Sequence, residues 1–367
     1  MSKLIDLYQK QGQSPWLDNL KRGWITSGEL ARWIDRGVRG ITSNPSIFAK
    51  AIEGAHDYDA QFRSLVTAGT SVEDSYWRMV VDDIGEALRL LRPVYDSSGG
   101  GDGFVSVEVS PSLARDTERT IAEAHELWTR IDQPNLFVKI PGTAEGVPAI
   151  KASLAAGVNI NITLLFGLDR YREVVDAWFE AMEQRVASAQ PIGSIASVAS
   201  FFVSRVDTEV DRRLEAIGSE AALALRGKAA VANAQLAYEL FLARFSGERW
   251  EALKAAGARL QRPLWASTSV KNPAYDDTLY VDSLVAPDTV NTMPEATLDD
   301  FDDHGTLTRT ADADLPGAHQ VLDDLATVGV DIDDVTRVLE DEGVAAFTKA
   351  YDELLTTLQT KAGELAG

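Results

Sequence analysis

A lysine at residue 139 closes the apolar run Leu136, Phe137, Val138 and is followed at once by Ile140 and a Pro141-Gly142 break. Lysine is almost never fully buried without a partner. Once desolvated, its ammonium loses part of its proton affinity and becomes an amine able to attack a carbonyl. Alternatively, the stem lies along the strand and the charged head reaches solvent at the strand end. The stretch "NLFVKIPGT" alone leaves both readings open.

Other polar residues stand at equivalent places, each just after or near the end of an apolar run. They are Asp18 after "SPWL", Asn44 in "TSNPS", Glu108 in "VSVEVSP", Asn161 and Thr163 in "NINITLLF", Ser200 and Arg205 in "SFFVSR", and Lys271 in "STSVKN". Singly, each has an ordinary role. Asn44 before Pro45 suits a turn, Glu108 an ion pair, Ser200 a helix cap. Together they supply an amine, two carboxylates, two amides, two hydroxyls and two further cations. That set suits Schiff-base chemistry: a nucleophile, groups for proton transfer, and amides to orient a polyhydroxylated substrate. Arg205 and Lys271 suit a phosphate on such a substrate. There is no cysteine, and the four histidines (His56, His125, His304, His319) lack ligand spacing, so no metal is expected.

The elements that must carry these residues alternate. Strand-like runs occur in "SPWLDNLKR", ending near Asp18, in "VRGITSNPS", "FVSVEVSP", "NLFVKIPG", "VNINITLLF", "SIASVASFFVSRV" and "RPLWASTSVKN", and within "DTLYVDSLVAPDTVNTMPEATL", with helical patterns between them. Alternation implies parallel βαβ units, and about eight strands favour an α/β fold of the (β/α)8 TIM-barrel type over a doubly wound sheet. Extra helices are expected at the N- and C-terminal ends, the last from about 316 to 361, and residues 1–367 read as a single barrel domain. No GxGxxG follows the first strand, which argues against a dinucleotide fold. Thr26 with Glu29, and Thr70 with Glu73, have capping-box spacing. The second of those helices is expected to end before Pro93. "SSGGGDG" reads as a flexible loop insertion, and the acidic run "LDDFDDHG" near residue 300 as a solvated loop.

The 367 residues carry 56 Asp and Glu against 35 Lys and Arg, a net charge of -21. Nucleic acid and an anionic membrane surface are poor partners for such a chain. Any site for a phosphorylated ligand must be a local cationic pocket. The first residues lack the apolar core of a signal peptide, and no run approaches the length of a membrane span, so a cytoplasmic protein is expected.

"GITSNPSIF", "LFVKIPGT", "NINITLLF" and "SFFVSRVD" resemble the strand motifs of the transaldolases, in order and across nearly the whole chain. The length and "STSVKNPAY" resemble a longer bacterial branch of that family. The resemblance implies transfer of a dihydroxyacetone unit from sedoheptulose 7-phosphate to glyceraldehyde 3-phosphate, giving erythrose 4-phosphate and fructose 6-phosphate, with no cofactor. It aligns Lys139 with the Schiff-base lysine and Asp18 with the general acid/base of carbon–carbon cleavage. Glu108 and Thr163 align with a pair working through a water. Asn44, Asn161 and Ser200 align with residues that hydrogen-bond the bound unit, Phe202 with an aromatic lining residue, and Arg205 with a phosphate-binding arginine. Lys271 stands where the commoner pattern has a second arginine. Two other readings stay open: a Schiff-base aldolase that releases the fragment, and a silent barrel that binds sugar phosphates. Oligomeric state is left open.

Overall fold

The computed structural model describes residues 2–53 and 56–366. Eight parallel strands close into a barrel: β1 (Gln13–Leu17), β2 (Gly40–Ile41), β3 (Phe104–Glu108), β4 (Leu136–Pro141), β5 (Ile160–Leu165), β6 (Ser197–Phe202), β7 (Gln261–Ala266) and β8 (Thr289–Met293), which pairs back onto β1. Helices separate the strands. A helix at Lys3–Gln11 precedes the barrel, and helices at Leu315–Thr327 and Ile332–Ala366 follow it. The expected (β/α)8 class and its extra terminal helices are therefore both present.

Because side chains alternate along a strand, Trp16, Phe104 and Phe137 share the barrel interior with Asp18, Glu108 and Lys139, one or two pairs of residues further along. Phe104 and Phe137 lie 4.3 Å apart between ring centroids, and Trp16 lies 6.1 Å from Phe137. A Cβ at Gly40 would meet the Trp16 ring at 2.3 Å, so the strand beside the indole must carry glycine. This aromatic layer is a dry floor beneath the polar mouth.

Below the floor, the glycine-rich link is pinned and not the flexible tether its composition suggests. Asp102, 1% exposed, accepts hydrogen bonds from Trp16 Nε1 (2.8 Å), Arg39 Nε (2.8 Å) and Ser14 Oγ. Arg259 donates to the carbonyls of Gly193 (2.7 Å) and Gly99 (2.8 Å). A buried carboxylate and carbonyl-seeking arginines outweigh the entropy of four loop glycines.

Several local expectations shift. Gly28, in the left-handed region at φ 77, separates the helices Arg22–Ser27 and Glu29–Arg36, so Thr26 lies inside the first and bonds back to Arg22 O instead of capping. Ser71, not Thr70, caps the helix Val72–Ser97 by accepting from Asp74 N. That helix runs on through Pro93, whose neighbour Leu91 is fully buried. The acidic run is the helix Glu295–His304, not a loop: Leu298 and Phe301 face the core, while Asp299 and Asp302 bind Arg36 at 2.8 and 3.1 Å. "DTLYVDS" holds the short helix Leu279–Asp282, started by Thr278 bonding Asp276, and only Thr289–Met293 is strand.

Candidate active site

Register brings the reactive groups together. Glu108 on β3 is the direct partner of Lys139 on β4, which is in turn the partner of Asn161 on β5. Lys139 is 4% exposed and Glu108 5%. Lys139 Nζ lies 3.1 Å from Glu108 Oε2 and donates to the Ser43 carbonyl at 3.4 Å. The lysine is thus buried and paired, which decides against a solvent-seeking head. Burial pushes the Glu108 carboxyl up; the Lys139 charge pulls it back, and Asp18 adds to the rise.

Two buried oxygens near this pair have no hydrogen-bond partner, Glu108 Oε1 and Thr163 Oγ1. Buried polar atoms are nearly always satisfied, which sets these two oxygens apart. The backbone beside Thr163 is irregular. β5 shifts register against β6 between Ile162 and Leu165, and Leu164 sits in the left-handed region at φ 58. Such bulges re-aim side chains at barrel rims.

Asp18 follows β1 and faces the mouth. Its Oδ1 accepts from Thr42 Oγ1 at 2.6 Å, and Thr42 in turn shares a 2.6 Å hydrogen bond with Thr292 Oγ1. Burial raises the Asp18 carboxyl above its ordinary range; Lys139, the Thr42 hydroxyl and Arg205 oppose that, while Glu295 reinforces it. Asn161 spans Ser106 and Ser200: its Nδ2 donates to Ser106 Oγ at 3.0 Å and its Oδ1 accepts from Ser200 Oγ at 2.7 Å. Asn44 Oδ1 caps Ile47 N at 3.0 Å, so the turn role and a place in the site coexist.

These groups meet a cavity of 540 Å³ at the C-terminal ends of the strands, lined among others by Asp18, Asn44, Lys139, Ser200, Phe202, Arg205 and Lys271. Glu108, Asn161 and Thr163 lie buried outside that open lining, Glu108 in contact with Lys139 and Asn161 with Ser200. Arg205 is carried by the first turn of the helix Ser204–Ile217, with its guanidinium 5.2 Å from the Phe202 ring; burial holds it below the usual guanidinium value. Lys271 stands exposed at the rim, donating to Ser269 Oγ at 2.7 Å. Lys21 and Lys50 also line the cavity, so cations gather here despite the overall charge.

The sequence motifs did not reveal Thr42, Thr292, Glu295 or Phe347. Thr42 had a usable signal, since it follows β2 directly within "GITSNPSIF", two residues before Asn44. Phe347 had none: it arrives from the helix Ile332–Ala366. Among the described residues, no group of three or more His, Cys, Asp or Glu side chains is placed to hold a metal, and no helix is long and apolar enough to cross a membrane.

A closed parallel barrel with a buried amine between two carboxylates at its C-terminal mouth has the architecture of an aldolase-type enzyme. The chain belongs to the transaldolase/fructose-6-phosphate aldolase family, whose model matches residues 15–358. It is 52% identical to the transaldolase of Parafrankia sp. (strain EAN1pec) across all of both chains. It is 54% identical to that of Thermobifida fusca over 94% of each, and 51% identical to that of Mycolicibacterium smegmatis over 95% of this chain and 94% of the relative. Its activity is accordingly that of a transaldolase, a transferase.

Proposed function

We propose that the enzyme moves a dihydroxyacetone unit from sedoheptulose 7-phosphate to glyceraldehyde 3-phosphate, forming erythrose 4-phosphate and fructose 6-phosphate in the cytoplasmic, non-oxidative pentose phosphate pathway. The observation that carries this reading is the buried Lys139–Glu108 pair, 3.1 Å apart, with Asp18 facing the same cavity.

Glu108 takes the Lys139 proton, a role favoured by the raised affinity that burial gives it. The free amine adds to the donor's keto carbon and water leaves, giving a cationic imine. Asp18 then accepts the proton of the substrate hydroxyl, the carbon–carbon bond breaks, and the electron pair passes into the imine to give an enamine. The aldehyde product departs. The acceptor aldehyde forms the new bond, Asp18 returns the proton, and water cleaves the imine.

Glu108 Oε1 and Thr163 Oγ1, both unpartnered, hold and activate that water. Asn44, Asn161 and Ser200 bind the hydroxyls of the three-carbon unit, and Phe202 lines it. Arg205 and Lys271 hold phosphate, Lys271 as a point charge without the arginine fork. These steps draw on side chains alone.

Borohydride in the presence of fructose 6-phosphate should add the mass of a reduced dihydroxyacetone adduct, mapped to Lys139. Adduct on a different lysine would sink the assignment. Lys139→Ala should abolish turnover.

A further inference from the structure

The reaction has a hazard. After the first aldehyde leaves, the three-carbon fragment waits on Lys139 for the acceptor. If the enamine carbon gains a proton and water adds to the imine carbon, the carbon–nitrogen bond breaks. Dihydroxyacetone then leaves, Lys139 regains its amine, and transfer has become hydrolysis. Something must keep bulk water off the fragment while leaving room for a phosphorylated aldehyde.

Phe347 is placed to do this. It is 6% exposed and lines the mouth cavity. Its ring centroid lies 5.9 Å from Lys139 Nζ and 6.0 Å from Arg205 Cζ, so one ring spans the covalent end and the proposed phosphate end. A cationic imine under an aromatic face gains attraction to the ring quadrupole at about this range. An apolar roof also keeps the site dry.

The helix that brings Phe347 is seated by independent contacts. Gly343, one turn earlier, leaves space for the strained Leu164: a Cβ there would meet Leu164 Cδ2 at 2.9 Å. Tyr351, one turn later, donates to Glu73 at 2.9 Å and packs edge-on against Tyr76. Lys361 pairs with Asp59. The roof is therefore fastened on the β5 bulge at one side and on the helices after β2 at the other.

We propose that Phe347 is a specificity-determining residue that sets the partition of the Lys139-bound fragment between transfer to an aldehyde and hydrolytic release. The proposal rests on the transaldolase reading and on Lys139 as the imine lysine.

The test compares wild type, Phe347→Ala and Phe347→Leu. Dihydroxyacetone release from fructose 6-phosphate alone is measured against transfer to erythrose 4-phosphate, with borohydride trapping as an independent check of the imine. In Phe347→Ala the ratio of release to transfer should rise about tenfold or more, a change of about 1.4 kcal/mol in relative barriers, while the adduct still maps to Lys139. Phe347→Leu keeps apolar bulk but loses the ring face, and it should show a smaller rise even if the alanine variant folds poorly. An unchanged ratio in the leucine variant and in any folded alanine variant would overturn the proposal, including the case where both rates fall together. Wild type that traps no fragment would instead overturn the Schiff-base reading on which the proposal stands.

Discussion

Glu108 and Lys139 are direct register partners on adjacent barrel strands, and their charged ends meet 3.1 Å apart with both side chains almost wholly out of solvent. Breaking a buried pair by removing one charge leaves the other uncompensated. Here the same pair is the proposed proton relay, so structural and chemical consequences must be separated.

Glu108→Gln keeps the shape and removes the proton acceptor. Imine formation, followed as the rate of borohydride-trapped adduct in a single turnover, should slow by roughly 10²–10⁴-fold. The sign of the pH effect is set by burial, which raises Glu108 above the ordinary glutamate range. Wild-type kcat/KM should therefore begin to fall, on acidification, above that range, because protonated Glu108 cannot take the lysine proton. Glu108→Gln should lose this limb. An acid limb unchanged in position would assign it to another group.

Asp18 is tuned by a neighbour whose hydroxyl can be removed with little change of volume. Thr42 donates to Asp18 Oδ1 at 2.6 Å and favours the ionised carboxylate. Thr42→Val should push Asp18 further up, moving the acid limb of the cleavage step to higher pH, while the donor KM changes little. Asp18→Ala should slow carbon–carbon cleavage by about 10²–10⁴-fold with the fold intact. Near-normal turnover in Asp18→Ala would transfer the role elsewhere, with Glu108 the first candidate.

How far the site could be read in advance depended on how each residue reaches it. Lys139 and Glu108 announce themselves because strand-end polarity after an apolar run is a one-dimensional pattern, and barrel register converts it into adjacency; Asn161, the second residue of β5 and not at its end, joins them by its register with Lys139. Arg205 was legible as a cation just past the end of a strand, and it sits there, on the first turn of the helix that follows β6. Phe347 and the Asp102 hub were not legible. Each is a contact between distant segments, and a buried aspartate in a glycine-rich stretch looks like linker until Arg39, Trp16 and Ser14 converge on it. The acidic run near 300 misled because its charge hides Leu298 and Phe301 at helical spacing.

Arg205 and Lys271 line the same cavity wall from different elements and should differ in importance. Arg205 is half-buried and held between Phe202 and Phe347, whereas Lys271 is exposed. A hydrogen bond to a charged group contributes roughly 1.5–3 kcal/mol, so Arg205→Ala should cost about 10- to 100-fold in kcat/KM for phosphorylated donors. Lys271→Ala should cost less, and Lys271→Arg should retain or improve affinity by restoring a fork. Unphosphorylated dihydroxyacetone donors should be used as poorly as by wild type. Equal losses on both substrate types would mean that these cations serve the barrel or Lys139 and do not contact phosphate.

Asp207 offers a stability test on the helix that carries Arg205. Its carboxylate accepts from Ala230 N at 2.8 Å and from Tyr280 OH at 2.9 Å, at 1% exposure. Burial outweighs those bonds and pushes it up to about 6. The folded value lies above the unfolded one, so the folded state binds the proton more tightly. Its contribution to stability is then fully present on the acid side, below the unfolded value, and is lost as pH rises through about 6. Asp207→Asn stays neutral throughout. The difference in unfolding free energy, wild type minus mutant, should therefore fall between pH 4 and pH 8 by on the order of 2–3 kcal/mol. Other titrating groups, Asp18 and Glu108 included, are common to both proteins and cancel in the difference. Denaturant unfolding at four or five pH values measures it directly. A difference that stays flat across that range, or grows toward alkaline pH, would mean that the two hydrogen bonds hold Asp207 ionised in the folded protein against its burial.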